Sequence, residues 1–434
     1  MRFAIPIFLS LLQALYGGVD LLVVGRFATT ADVSGVSTGS TLLNTLTMVI
    51  TGLSMGITIL VGEKIGAKNP EEAGRAVGSG LCLFAVIGVL LTLGISICAS
   101  AIATALQAPD EAFTATVHYI RICGAGSLFI VAYNVLGAIF RGIGDSKTPL
   151  LTVAVACVIN ILGDLILVEG FGMGAAGAAI ATVAAQCISV IVSLFVITQK
   201  KNLPFCFSKK MIVLNRKIIG KELKLGAPVA LQEVFVGTSF IVIQSVVNSF
   251  GVVSSAGVGI AEKVCAFVML VPSAYMQSMS AFVAQNMGGG KADRAKKALQ
   301  YSIFTAFGVG IIMMLLLVFC GNTLSAIFSK DSDVVLAAHS YLKAYAIDCL
   351  ISPMMFCFIG YFNGCEKTIF VMLQGFIGAY VVRLPIVLVV SRIAGVNLFH
   401  IGLGTPASSL VQLLLCIGYF FYVNKRNLKE CFDR

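Results

Sequence analysis

Two stretches, VGEKIGAKNPEEAGRA (61–76) and VAQNMGGGKADRAKKA (283–298), decide the fold. Val61, Gly66, Ala73 and Ala76 of the first align with Val283, Gly288, Ala295 and Ala298 of the second at one offset, 222 residues (61 to 283). The same offset pairs Tyr119 and Arg121 with Tyr341 and Lys343. It also pairs Phe140 and Gly142 of FRG with Phe362 and Gly364 of FNG. Three matching segments at one offset in a chain of 434 residues mark an internal duplication.

The composition around these stretches is that of a membrane protein. Hydrophobic residues make up 58% and charged residues 12%, with a mean hydropathy of +0.98; soluble domains carry about 25% charged residues. Apolar runs of about 20 residues, each long enough to cross ~30 Å of hydrocarbon, recur along the whole chain. They predict twelve spans: 3–25, 34–62, 77–99, 115–140, 148–169 and 174–198, then 224–250, 254–285, 298–320, 334–362, 368–391 and 398–423. Several exceed the length a span needs, which predicts tilt or interfacial extension. The first carries Asp20 and lacks a small-residue cleavage site, so no removable signal is expected. The expected fold is an all-α polytopic membrane protein of two six-helix lobes, 1–198 and 224–434, joined by a basic linker, 199–223. Six is even, so the lobes form a parallel repeat about an axis along the membrane normal.

Lys and Arg set the orientation. Lys64, Lys68, Arg75, Arg141, Lys147, the linker lysines, Lys291, Arg294, Lys367 and Lys425 gather on one face, whereas Arg26, Lys330 and Arg392 lie on the other. The positive-inside rule then puts both termini in the cytoplasm, in a multi-pass protein of the cell's inner (plasma) membrane. This asymmetry and contact with anionic membrane lipids account for the net charge of +10. No basic binding module is present, so nucleic acid is not an expected partner.

Other chemistries find little support. The 13 cysteines scatter through apolar spans without a C-x-x-C pair, as small hydrophobes do. His118, His339 and His400 lie near span ends, far apart in sequence, and form no catalytic set, so no enzyme is expected. The glycine-rich GFGMGAAGAAIA (170–181) follows no strand and reads as close helix packing rather than a nucleotide loop. No cofactor is expected beyond a coupling ion.

The acids inside the spans carry the functional signal. A charge at the bilayer centre costs roughly 2.5–3.5 kcal/mol on translocon scales, so Asp20 and Asp164 mark a pathway, a proton carrier or an ion site. The competing reading is a polar knot that ties helices together. Asn160 and Asp164, four apart, share one helix face, as do Gln13 and Asp20, seven apart. At ~1.5 Å per residue, Asp20 and Asp164 lie roughly 22–26 Å from the cytoplasmic ends of their spans, and Thr182 roughly 12 Å from the outer end of its own. In the second half Glu233, Glu262 and Asp348 are further acids, with Lys263 and Arg383 as candidate counter-charges. Gln13, Asn44, Asn134, Gln244, Gln277, Met269, Met276 and Met279 are candidates to line a cavity.

The segments QALYGGVDLLVVGRF (13–27), GAKNPEEAGRA (66–76), FRGIGDSKTP (140–149), NILGDLILVEGFGMGAAGAAIAT (160–182) and VAQNMGGGKADRAKKAL (283–299) occur in order. As an ordered set the chain resembles the multidrug and toxic compound extrusion (MATE) transporters of the bacterial DinF/NorM-like branch. The resemblance implies a V-shaped pair of six-helix bundles. It also implies export of small organic, often cationic, compounds by a monomer against inward H⁺ or Na⁺. Asp20, Asn160, Asp164 and Thr182 match positions that look like the family's first-half cation site: either a proton-binding carboxylate or oxygen ligands for Na⁺. Family members often carry an acid in the seventh span. Here Val236 stands at that position and Glu233 about one turn earlier, so an ion pair of Glu233 with Lys263 or Arg383 is the alternative. Bending at Pro6 is a family proposal; plain kinking, or tolerance of proline in the first turn, is the alternative. Members usually have a short stretch before the first span, whereas Met1 stands almost at its edge, which points to a truncated or misassigned start. The rival function is a flippase for lipid-linked saccharides, which needs a strongly basic cavity; a channel suits a duplicated two-lobe fold less well.

Overall fold

The computed structural model describes residues 23–432 except 200–202, 207, 209–210, 394 and 396, and only the backbone of 426–432. Among the described residues the chain is helical and forms no strand. Residues 23–27 are helical. The helices that follow are α1 (Thr30–Gly66), α2 (Pro70–Ala105), α3 (Phe113–Ala125), α4 (Ser127–Gly142), α5 (Lys147–Asp164), α6 (Gly174–Gln199) and α7 (Arg216–Asn248). Then come α8 (Val252–Gly288), α9 (Ala292–Ala326), α10 (Ser332–Gly364), α11 (Thr368–Phe376), α12 (Leu384–Val390), α13 (Leu398–Gly402) and α14 (Gly404–Phe432). Among the described residues ten helical segments are long and apolar enough to cross a membrane. The bent pair α3–α4, 52° apart, makes an eleventh. They fall on the predicted spans from 34–62 to 398–423. The span 3–25 lies outside the described residues apart from its end, as do Pro6, Gln13 and Asp20.

Local chemistry explains where the helices begin. Thr29 and Asp32 form a capping box on α1, each side chain accepting from the other's backbone N–H. Asp32 also accepts from the Ala175 N–H at 3.0 Å, so one carboxylate ties together the N-terminal ends of α1 and α6. Asn69 caps α2 ahead of Pro70, and Asp331 caps α10.

Contacts divide the chain into two compact units, 1–230 with 288–290, and 231–287 with 291–434. The duplication read from sequence recurs inside each unit as the same packing. Gly35 lies against Ala115 and the Thr116 backbone; Gly257, 222 residues later, lies against Ala337 and the Ala338 backbone. Gly142 lies against Thr58 and Val61, and Gly364 against Ser280 and Val283, again at that offset. Even the left-handed turns repeat, at Lys68 (φ 56°) and Gly290 (φ 68°), and at Gly144 (φ 79°) and Glu366 (φ 61°). Glycine at the crossings lets helix backbones approach closely where lipid gives no hydrophobic drive. Tyr119 and Tyr341, another repeat pair, are each fully buried in their own unit.

The halves differ at one break and share one irregularity. The first breaks between α3 and α4 at Gly126; the second carries Asp348 at the equivalent point of an unbroken α10. Each fifth span contains a π turn, 165–170 directly after Asp164 and 377–383 ending on Arg383. Insertions of this kind occur often at functional sites.

Candidate functional site

In the first unit α5 and α6 run antiparallel. Leu167 meets Gly177, Gly163 meets Ala181, and the Ser189 hydroxyl donates to the Thr152 carbonyl at 2.7 Å. That register sets Thr182 at the height of residue 162, between Asn160 and Asp164. Asn160 and Asp164 are both 0% exposed, and Thr182 is buried. The Thr182 hydroxyl donates to its own helix, at the Ala178 carbonyl 2.9 Å away. Neither the amide oxygen nor the amide nitrogen of Asn160 has a hydrogen-bond partner. Buried amides are almost always satisfied, and each unmet group costs about 1–3 kcal/mol. Val168, in the π turn after Asp164, packs with Ala178 of α6, with Val36 and Leu43 of α1, and with Val23 and Val24. The chain leaving Asp20 therefore joins the core that holds the π turn; Asp20 and Gln13 themselves lie outside the described residues.

An Asp carboxylate, an Asn carbonyl and a Thr hydroxyl are hard oxygen groups, suited to Na⁺ or to a proton shared with an amide. Among the described residues no cluster of three His, Cys, Asp or Glu side chains suits a transition metal.

The second unit holds a different polar cluster. Asp348 on α10 is 2% exposed and Arg383, at the end of the second π turn, is 5% exposed. Ser352 and Ser409 lie within hydrogen-bonding reach of the Asp348 carboxylate, and its charge and that of Arg383 act on each other. Arg383 Nη1 donates to the Ser239 hydroxyl at 3.1 Å, and its guanidinium sits 4.6 Å from the centre of the Phe240 ring. One Asp348 oxygen and Arg383 Nε are buried without a hydrogen-bond partner. The ion pairs observed among the described residues lie elsewhere, joining Lys64 to Glu72 at 2.8 Å and to Glu63 at 3.7 Å, and Lys221 to Glu63 at 2.7 Å.

The remaining candidates separate clearly. Asn134 is satisfied: it donates to the Ile130 carbonyl at 2.8 Å and accepts from Thr51 at 3.1 Å, tying α4 to α1. Asn44 is exposed, whereas Glu233 and Gln277 are half-buried on α7 and α8. Gln244 is engaged with Asn248 and Ser255. Lys263 is exposed with its ammonium over Phe328, 5.9 Å from the ring centre. Sequence reasoning missed Ser239, Phe240, Ser352 and Ser409. Ser352 had a signal, being one turn from Asp348 on the same face; the others come from different helices. Glu222 was missed as well. It is 1% exposed, with neither carboxylate oxygen hydrogen-bonded, and it packs against Gly56 of α1 and Gly80 of α2.

The MatE family model matches residues 6–166 and 228–389. The chain is similar to the probable multidrug resistance protein YoeA of Bacillus subtilis (strain 168), 27% identical over 432 residues, covering 98% of this chain and 93% of that protein. It is similar also to the multidrug export protein MepA of Staphylococcus aureus (strain MSSA476), 23% identical over 433 residues, with coverage of 96% and 90%. Among solved structures, the outward-facing conformation of a multidrug resistance MATE family transporter of the MOP superfamily superposes with a TM-score of 0.90 at 19% identity. That match covers 98% of this chain and 94% of the other.

Proposed function

The chain belongs to the MatE family of multi-pass membrane transporters, and we propose that it is a secondary antiporter exporting small organic, cationic compounds in exchange for H⁺ or Na⁺ by alternating access. Export is supported by the relatives, which are named for multidrug resistance and export. We place it in the inner (plasma) membrane with both termini in the cytoplasm, following the basic residues.

One observation carries the coupling site: Asn160, fully buried with its whole amide unmet, on the same helix face as the fully buried Asp164. Asp164 supplies the charge of the site and Asn160 a neutral oxygen. Thr182, at the same height on α6, offers a hydroxyl already anchored to Ala178. A coupling ion, when bound, supplies the positive charge that a carboxylate out of water lacks. The π turn after Asp164 gives residues 165–170 a seating distinct from an α-helical one, with Val168 in the core as its anchor. Occupancy at Asp164 and Asn160 then favours whichever seating binds the ion better, by no more than that difference in affinity.

The test is efflux of a fluorescent cationic dye from proteoliposomes under an imposed pH or Na⁺ gradient. Wild type is expected to respond to one of the two gradients, which identifies the ion. Asp164→Asn is expected to abolish the response, and Asn160→Leu to slow it at least about tenfold, both with dye binding and thermal midpoint retained. Gradient-driven efflux unchanged in Asp164→Asn overturns the assignment.

A further inference from the structure

On the surface of the second unit, a groove of about 470 Å³ lies between α11 and α14. Phe370 of α11 and Val411, Leu414, Gly418, Tyr419 and Tyr422 of α14 line it. The Phe370 and Tyr419 rings stack 3.9 Å apart at 11°, which fixes one wall. The floor is open because residue 418 is glycine: no atom lies within 4 Å of where its Cβ would stand. From Val411 to Tyr422 the groove runs roughly 16 Å along the axis of α14. That is about half of a ~30 Å hydrocarbon core, the depth of one leaflet.

Charge stands at one end of the groove. Lys367 precedes Phe370 by three residues at the start of α11, and Lys425 follows Tyr422 by three residues, so each lysine lies one turn from a lining aromatic. Phe370 and Tyr419 are in contact and the two helices run in opposite senses through this wall, which brings both lysines to the same end. Both are exposed. The neighbouring carboxylate, Glu366, sits on the left-handed turn before α11 (φ 61°).

We propose that this groove is a binding site for an anionic glycerophospholipid, with one acyl chain along Val411–Tyr422 and the headgroup phosphate between Lys367 and Lys425. An apolar slot one leaflet deep fits an acyl chain. Two ammonium groups at its polar end select a lipid of net negative charge over a zwitterionic one, by about fivefold per lysine. The site lies within one unit and is independent of the cation-coupling reading.

The chain contains no tryptophan, so Leu414→Trp places a single fluorophore on the groove wall, at a side chain already 58% exposed. This variant is reconstituted in phosphatidylcholine and titrated with phosphatidylglycerol or phosphatidylcholine carrying brominated acyl chains. Brominated phosphatidylglycerol is expected to quench at a mole fraction at least about tenfold lower than brominated phosphatidylcholine. Lys367→Gln with Lys425→Gln is expected to erase that difference. Gly418→Phe, which fills open space, is expected to weaken quenching by both lipids. Equal quenching by the two lipids overturns the proposal, and so does a preference that survives loss of both lysines.

Discussion

Arg383 and Asp348 show how a membrane interior holds two charges that form no direct ion pair. Arg383 spreads its charge over the Ser239 hydroxyl and the Phe240 ring. Asp348 has Ser352 and Ser409 within reach. Removing one partner of such a buried pair leaves the other charge uncompensated, at a cost of about 3–5 kcal/mol, whereas replacing both with apolar groups is close to neutral. Asp348→Leu and Arg383→Met are therefore each expected to lower the thermal midpoint strongly in detergent, and the double variant to regain most of the loss. A double variant whose loss equals the sum of the singles shows that the two charges are not coupled. At this scale the sequence was readable to the extent that an ionisable residue in an apolar run stands out: Asp164, Asp348 and Arg383 did, and all three are buried. Ser239 and Phe240 did not, because an ordinary serine and phenylalanine on α7 acquire meaning only when the fold brings Arg383 beside them.

Among the helices, glycine crossings and π turns do most to distinguish this chain from a plain bundle. The repeat pair Gly142 and Gly364 does the same task with different tolerance. A Cβ on Gly142 would stand 3.0 Å from the Thr58 carbonyl oxygen, whereas one on Gly364 would stand 2.6 Å from the Val283 side chain and 2.7 Å from the Ser280 carbonyl. Overpacking of this kind costs about 1–3 kcal/mol. Gly364→Ala is therefore expected to lower the thermal midpoint more than Gly142→Ala, and equal effects would show that α8 yields as easily as α1. Helix positions were legible because apolar length alone marks a span. Two features were not. The π turns leave no periodic signal, since one extra residue in a turn is smaller than the uncertainty in any boundary. The first turns of α7 read as linker because Arg216, Lys217, Lys221 and Lys224 crowd them. The helix starts at Arg216 all the same, and this buries Glu222 against Gly56 and Gly80.

For the whole molecule, the duplication was visible from seven identities in three segments at one offset, and the structure repeats it down to turn geometry, with left-handed residues at 68 and 290 and at 144 and 366. Glycine contacts made that legible: a residue without a side chain is retained where two backbones meet, so the same crossing leaves the same letter in both halves. A parallel repeat makes a demand that an inverted one does not. Equivalent turns must face the same side of the membrane, so an even number of spans must separate them. The distribution of Lys and Arg makes the same demand independently, since Lys64, Lys68 and Arg75 flank the first turn and Lys291, Arg294 and Lys296 the second. In a cysteine-free background, Lys68→Cys and Gly290→Cys are therefore both expected to resist a membrane-impermeant maleimide on intact cells and to react once the cells are opened. Lys330→Cys, in the turn before α10, is expected to react from outside. All three positions are exposed, so labelling reports access rather than burial. Reaction of Gly290→Cys from outside with Lys68→Cys protected would require an odd number of spans between the two turns, and the halves would then be inverted copies despite their matching packing.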